Sequence, residues 1–305
     1  MSSSVALFGY GELAVAGLDA LAAAGASLSA VVVPGNRIGS DVDRIRDTAA
    51  RRGLRVLVQP PRHDIGPFVE TLRETGAGVI IVCSYSMILP ASVLAVPVHG
   101  AVNVHGGLLP EYRGGHVAQW AIINGEREFG VTLHYMDDGI DTGPIIAERR
   151  FALDDADDAG SLRQKVRAAA VELLTHWWPR LADGTAPRTT QDPARARHWR
   201  MRTPEDGQLA WTMSTGAICR LVRALRCNSP GAYVSVGGRQ MSIRQAEAHP
   251  PLANGAQPGR VVATDARGVR VTASDGDILI SAAEIDGCPA TAEEVAGLLK
   301  TWADV

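Results

Sequence analysis

Short apolar runs alternate with amphipathic stretches through the first half of the chain. Residues 5–8, VALF, form an apolar run closed by Gly9-Tyr10-Gly11, and ELAVAGLDALAAAG (12–25) then carries apolar residues at helical spacing. SLSAVVV, ending at Val33, is β-branched and reads as a strand; 41–53 reads as an amphipathic helix stopped by Gly53. LRVLVQP (54–60) predicts a strand, 67–76 a helix, and GVIIVCSY (78–85) a fully buried strand. Alternation of this kind implies right-handed βαβ crossovers and a parallel sheet.

VPVHGAVNVH (96–105) then runs into a loop rich in glycine, followed by a helix over 116–126 that ends near Asn124-Gly125. GVTLHYMDDGIDTGPIIAERRF alternates as a strand, breaks at 137–143 and resumes as a strand; 161–184 predicts a long helix with Ser161 as its N-cap. Composition shifts at 185–207, where prolines and arginines replace periodicity, so a linker is expected there. One helix (212–227) and five short strands punctuated by glycine turns follow. The expected fold class is α/β: an open, mostly parallel Rossmann-like sheet over 1–184, and a smaller C-terminal β-barrel, OB-like domain over 208–305.

A charge balance of 30 basic against 33 acidic residues, net −3, gives no general attraction to nucleic acid or to an anionic membrane. The four cysteines form neither a zinc nor a disulfide pattern, so a reducing compartment is the natural setting. The N-terminal residues lack the pattern of a secretion signal, and no apolar stretch approaches a membrane span. A cytoplasmic location is expected, and no metal site, because the histidines lack ligand spacing. An apolar face on the second domain could support a homodimer.

Three stretches carry candidate chemistry. Gly9-Tyr10-Gly11-Glu12-Leu13-Ala14 fits the glycine fingerprint of dinucleotide binding, yet no acid follows the second strand until Asp41, and a tight strand-to-helix turn needs the same glycines. Asn103 and His105 lie two apart, hence on one side of a strand, at a carboxyl end where open α/β sheets bind ligands. An Asn amide can donate to a developing oxyanion, His can move a proton, and a carboxylate such as Asp141 would orient the imidazole. SYSMILP (84–90) is either a plain loop or a set of backbone groups that meet a flat heterocycle while Met87, Ile88 and Leu89 pack against it.

NVHGGLLPEYRG (103–114) followed by WAIINGEREFGVTLHYMDDGIDTGPIIAE resembles the formyltransferases that use 10-formyltetrahydrofolate, and the likeness continues through RTPEDGQLAW, LVRAL, SPGAYVSVGGRQMSI and QPGRV. The chain is similar along nearly its whole length to methionyl-tRNA formyltransferases, and looks closer still to the aminoarabinose-modifying and sugar N-formyltransferases. The resemblance implies Asn103, His105 and Asp141 as a catalytic trio. It implies Met87, Ile88 and Leu89 around the pterin, and Gly107, Leu108, Leu109 and Pro110 with Asp137, Asp138, Gly139 and Ile140 closing on the folate. Two positions depart from the family pattern: Gly107 stands where Ser is common, and Val117 where Pro is common. The basic insertion that tRNA enzymes carry after the second strand is here only PGNRIGSDVDRIR, which argues against a nucleic-acid partner.

The resulting expectation is transfer of a formyl group from 10-formyltetrahydrofolate to the primary amine of a small molecule, first a nucleotide-linked amino sugar. Alternatives are an amino-acid-derived amine, such as hydroxyornithine in siderophore synthesis or another secondary metabolite, and hydrolysis of the same cofactor. A non-catalytic or NAD-dependent nucleotide-binding protein is the alternative from another class.

Overall fold

The computed structural model describes residues 3–252 and 255–303, and their contacts divide the chain into two units. One comprises residues 3–117, Glu128–Phe151 and Gln164–Trp199; the other comprises Ala118–Arg127, Ala152–Arg163 and the described residues from Arg200 onward. In chain order the elements are β1 (Ser4–Gly9), α1 (Gly11–Ala23), β2 (Ser27–Pro34), α2 (Ser40–Arg51), β3 (Arg55–Gln59), α3 (Ile65–Glu74), β4 (Ala77–Cys83), α4 (Ala91–Leu94) and β5 (Ala101–His105). They continue with β6 (Arg113–Gly114), α5 (Val117–Asn124), β7 (Glu128–Tyr135), β8 (Ile145–Ala152), α6 (Ala159–Ala182) and β9 (His198–Trp199).

The seven-stranded sheet runs β3-β2-β1-β4-β5-β7-β8, parallel from β3 through β5, with β7 antiparallel to β5. Period-two alternation sends Val5 and Leu7 into one apolar layer with Leu18 and Leu21 of α1. Ala6 and Phe8 enter the opposite layer with Phe68 and Leu72 of α3. β4 is buried along its whole length, as its unbroken apolar run requires in a sheet covered on both faces. The predicted α/β order is therefore the observed one.

Gly9 has a packing reason. A Cβ there would lie 2.4 Å from the Cys83 carbonyl oxygen and 2.6 Å from the Ala14 Cβ, so only glycine lets β1, β4 and α1 meet. The strand order reverses between β1 and β4, which opens a crevice at the carboxyl ends of those strands. β5 is the neighbour of β4 and ends at the same edge.

Residues 185–199 lie within the first unit. Thr189 exchanges two backbone hydrogen bonds with Ile145 (2.8 and 2.9 Å), β9 pairs with β6, and the Trp199 and Tyr112 rings stack 5.5 Å apart. The start of α6 differs from expectation: Ser161 sits inside the helix and Asp158 caps it. Asp158 Oδ1 accepts the Gly160 and Ser161 N–H groups at 2.8 and 3.0 Å, while the Ser161 hydroxyl donates to Asp157. A carboxylate meets the positive helix end more strongly than a hydroxyl does, so the helix begins earlier.

In the second unit α7 (Thr215–Leu225) is capped by Ser214, whose hydroxyl accepts the Ala217 N–H at 3.2 Å. β10 (Ala232–Val236), β11 (Arg239–His249), β12 (Val261–Asp265), β13 (Gly268–Thr272), β14 (Asp277–Ile285) and β15 (Cys288–Ala290) form an antiparallel sheet. Its order is β10-β11-β14-β13-β12, with β15 on β14. A helix not expected from the periodicity, α8 (Ala292–Ala303), is the last described element. Thr291 and Glu294 cap it reciprocally through side-chain-to-backbone bonds of 3.3 and 2.8 Å. Among the described residues no helix is long and apolar enough to cross a membrane.

Candidate active site

β5 turns Val102 and Val104 into the core and leaves Asn103 and His105 on its other side. In the antiparallel register of β5 and β7, Asn103 lies directly opposite His134 and His105 directly opposite Thr132. Two cross-strand pairs therefore make a patch of four polar side chains on one face of the sheet. His105, His134 and Thr132 are 7%, 2% and 0% exposed, so each must find partners within the protein.

His105 Nε2 lies 2.5 Å from the Tyr112 carbonyl oxygen. A carbonyl only accepts, so Nε2 carries the proton and the neutral ring has its lone pair at Nδ1. Nδ1 faces Asp141 Oδ2 at 3.6 Å, too long for a hydrogen bond but close enough for the charges to interact. Burial drives the His105 pKa below its ordinary value; the Asp141 charge and the Tyr112 carbonyl oppose this without reversing it, and His134 adds to the lowering. The ring at rest is a neutral base.

Asp141 reaches the patch from the loop between β7 and β8. Its φ of 55° is the left-handed turn that brings the carboxylate back, and the Gly114 N–H donates to Oδ2 at 2.8 Å. Burial works to raise its pKa, but the His134 and His105 imidazoles, which carry positive charge in acid, and the Gly114 N–H outweigh it and hold the carboxyl at about 2. Asn103 Nδ2 lies 3.2 Å from His134 Nε2 and 3.5 Å from Asp141 Oδ1.

Outlying residues fix this geometry. Gln191 donates to the carbonyls of Asp141 and Gly143 at 2.9 and 2.7 Å, and its Oε1 accepts two bonds from Arg113 at 3.0 and 2.7 Å. Thr132 donates to the Gly107 carbonyl at 2.7 Å and accepts the Leu109 N–H at 3.2 Å, pinning the loop after β5. A Cβ on Gly107 would stand 2.8 Å from His105 Nε2, 3.0 Å from the Tyr112 carbonyl oxygen and 3.1 Å from Val117 Cγ2. The two departures from the family pattern, Gly107 and Val117, thus adjoin each other.

The structure brings Asn103, His105 and Asp141 together. Gly107, Leu108, Leu109 and Pro110 are all buried beside them, in the loop that Thr132 holds. Asp137, Asp138, Gly139 and Ile140 are exposed, and the Asp137 carboxylate is engaged by the Gly139 N–H and the Thr142 hydroxyl at 3.1 and 2.6 Å. After β4, Leu89 is buried, Met87 half-buried and Ile88 76% exposed. Gln59 donates to the Ile88 carbonyl at 3.2 Å, while its own buried Oε1 has no hydrogen-bond partner. His134, Thr132 and Gly114 lie within the quoted family-like stretches without being singled out as site residues, and Gln191 lies outside them. The signal for two of them was present: Thr132 and His134 are polar at a spacing of two in an otherwise apolar strand.

Residues 39–177 match the formyl transferase family model, and residues 202–297 match that of the formyl transferase C-terminal domain. A methionyl-tRNA formyltransferase of Anaeromyxobacter dehalogenans (strain 2CP-C) is 34% identical over 292 residues, covering 94% of this chain and 93% of that protein. In fold, the chain resembles an N-formyltransferase from Helicobacter canadensis crystallised with folinic acid and dTDP-3-aminofucose, at 17% identity and a TM-score of 0.67, covering 91% of this chain and 98% of that one. It also resembles HypX from Aquifex aeolicus in complex with tetrahydrofolic acid, at 22% identity and a TM-score of 0.62; the match covers 98% of this chain but spans 48% of HypX.

Proposed function

The chain belongs to the formyl transferase family, and from that premise we propose that it moves the formyl group of 10-formyltetrahydrofolate onto the primary amine of a small molecule, a nucleotide-linked amino sugar first among candidates. The observation that carries the reading is the Asn103–His105–Asp141 cluster, in which the Tyr112 carbonyl leaves the buried His105 with Nδ1 bare beside a carboxylate. The folate supplies the formyl carbon that the amine attacks. Asn103 Nδ2 has two N–H groups; one is directed to His134 Nε2, and the other, held only by a long 3.5 Å contact with Asp141 Oδ1, turns to the oxyanion that develops on the formyl oxygen. His105 takes the amine proton at Nδ1 as the amine adds, and Asp141, ionised down to about pH 2, stabilises the imidazolium that results. As the oxyanion collapses to the amide and the bond from the formyl carbon to folate N10 breaks, the imidazolium returns that proton to N10, which leaves as tetrahydrofolate. The unpartnered Gln59 Oε1 and the exposed Ile88 suit an amino-substituted heterocycle, whose N–H groups need acceptors and whose faces need apolar cover.

Two observations bear on the acceptor. The Helicobacter enzyme of similar fold was crystallised with dTDP-3-aminofucose, which supports an amino sugar. The Anaeromyxobacter relative at 34% identity is a methionyl-tRNA formyltransferase, and that favours initiator tRNA as the second reading. Charge supports the amino sugar: a net −3 chain without a basic segment after β2 has little with which to hold a polyanion.

The test is mass-spectrometric screening with 10-formyltetrahydrofolate against dTDP-3-aminofucose, other nucleotide-linked amino sugars, hydroxyornithine and methionyl-tRNA. A product 28 Da heavier than a small amine supports the proposal. Formylated tRNA alone would replace it with the second reading, and tetrahydrofolate release without any amine would make the protein a hydrolase.

A further inference from the structure

His134 is engaged by neither the proton transfer nor the oxyanion, yet it is almost completely buried at the centre of the patch. Its Nδ1 lies 2.8 Å from the Tyr135 carbonyl oxygen. Since that carbonyl can only accept, the proton sits on Nδ1 and Nε2 presents a lone pair. Facing that lone pair, at 3.2 Å, is Asn103 Nδ2. A primary amide can bind in either of two orientations, and a bare imidazole nitrogen accepts from the NH2 group but repels the carbonyl oxygen.

We propose that His134 is a positioning residue that locks the Asn103 amide with its NH2 group turned into the site. This rests on the reading of Asn103 as the oxyanion donor. Two further contacts agree with that orientation. Asp141 Oδ1, an ionised acceptor, lies 3.5 Å from the same Nδ2. Asn103 and His134 are also direct partners across β5 and β7, so the sheet register itself sets their separation. The charged and titratable groups that face His134 are Asp141 Oδ1, 3.6 Å from Nε2, and the His105 ring, edge-on at 6.1 Å between centroids. The amide that the family chemistry needs as a donor is therefore oriented by a ring on the neighbouring strand, and an amide rotated by half a turn would present a carbonyl to a developing negative charge.

The test joins spectroscopy to kinetics. Two-bond 1H–15N spectra of histidine-labelled protein should show His134 neutral, with its proton on Nδ1; a proton on Nε2 would overturn the proposal, because that nitrogen then cannot accept from Asn103. Kinetics use 10-formyltetrahydrofolate and dTDP-3-aminofucose. His134→Asn keeps an amide near Nδ1 but removes the acceptor at Nε2, and should lower kcat by up to about 10²-fold, the usual cost of a misplaced catalytic group, with the folate KM little changed. His134→Gln, whose carbonyl reaches the Nε2 position, should recover most of that loss. In an Asn103→Ala background His134→Asn should have almost no further effect; additive losses would reduce His134 to a structural residue. An Asn103→Ala enzyme of normal activity would instead refute the oxyanion role and leave the tautomer result standing. Should dTDP-3-aminofucose not be formylated, the acceptor assignment fails and the tautomer alone decides the positioning role.

Discussion

Replacing Gly107 with alanine adds one carbon at a crowded point of the site. That carbon would stand 2.8 Å from His105 Nε2 and 3.0 Å from the Tyr112 carbonyl oxygen, both well inside ordinary contact, and the second of these is backbone. His105 is the group able to yield, and as it withdraws its buried Nε2–H parts from the Tyr112 carbonyl. An unmade hydrogen bond at a buried pair costs about 1–3 kcal/mol, and overpacking a filled site costs about 1–3 kcal/mol, so the variant should lose roughly 2–6 kcal/mol of stability. The catalytic loss is separate: without the carbonyl to hold the proton on Nε2, Nδ1 no longer waits as a base, and general-base catalysis is worth about 10²–10⁴-fold. Thermal unfolding measures the first effect, and two-bond 1H–15N spectra of His105 with formyl-transfer rates measure the second. Val117→Ala removes the Cγ2 that presses on the same point at 3.1 Å, so the double variant should be more stable than the sum of the two single changes allows. A Gly107→Ala protein with the wild-type melting temperature and His105 still protonated on Nε2 would refute this reasoning.

His105→Ala and Asp141→Asn should each cost about 10²–10⁴-fold in kcat while circular dichroism shows a folded protein; near-normal rates in either would remove that residue from the mechanism. The folded state holds Asp141 at about 2 against an ordinary 3.8, so its carboxylate contributes roughly 2 kcal/mol of stability above the higher value, lost as the pH falls from 3.8 through 2. The stability difference between wild type and Asp141→Asn in acid titrations should shrink over that window. With the His105 pKa pushed down by burial, the acid limb of kcat/KM should lie below the ordinary histidine value of 6.5, and a limb above it would contradict the neutral ring. Gln191→Leu leaves Arg113 and the Asp141 and Gly143 carbonyls without that partner, and should lower kcat together with a loss of about 1–3 kcal/mol in thermal unfolding.

The sheet was legible because each strand from β1 to β5 is a short apolar run with helical periodicity beside it, and local pattern suffices for that topology. Asn103 and His105 were legible because strand periodicity places residues two apart on one side. Asp141 was not reachable in that way. It meets them only through a left-handed turn; the Asp-rich DDGIDTG loop offered it as a carboxylate, and the family likeness joined it to the trio. His134 stayed hidden for a related reason: opposing residues depend on the register of β7 against β5, and a single sequence does not reveal a register between strands separated by a loop and a helix. Two helix starts show how local chemistry competes. Ser161 looked like a cap, but Asp158 offers the better acceptor three residues earlier. Thr291-x-x-Glu294 spelled out a capping box that was overshadowed by the strand pattern before it.

Gln191 stands 50 residues beyond Asp141, past the end of the long helix α6, and still carries the backbone of that turn. A fragment ending at Gly184 would keep every proposed catalytic residue yet leave the Asp141 turn without its brace, and would also lack the strand that pairs with Arg113 and Gly114. Dissection of the enzyme, or exchange of its catalytic half with that of a relative, therefore has to place the junction after Trp199. Chimeras joined at the end of α6 should fold and bind poorly to their own chemistry, whatever acceptor the other half was chosen to recognise.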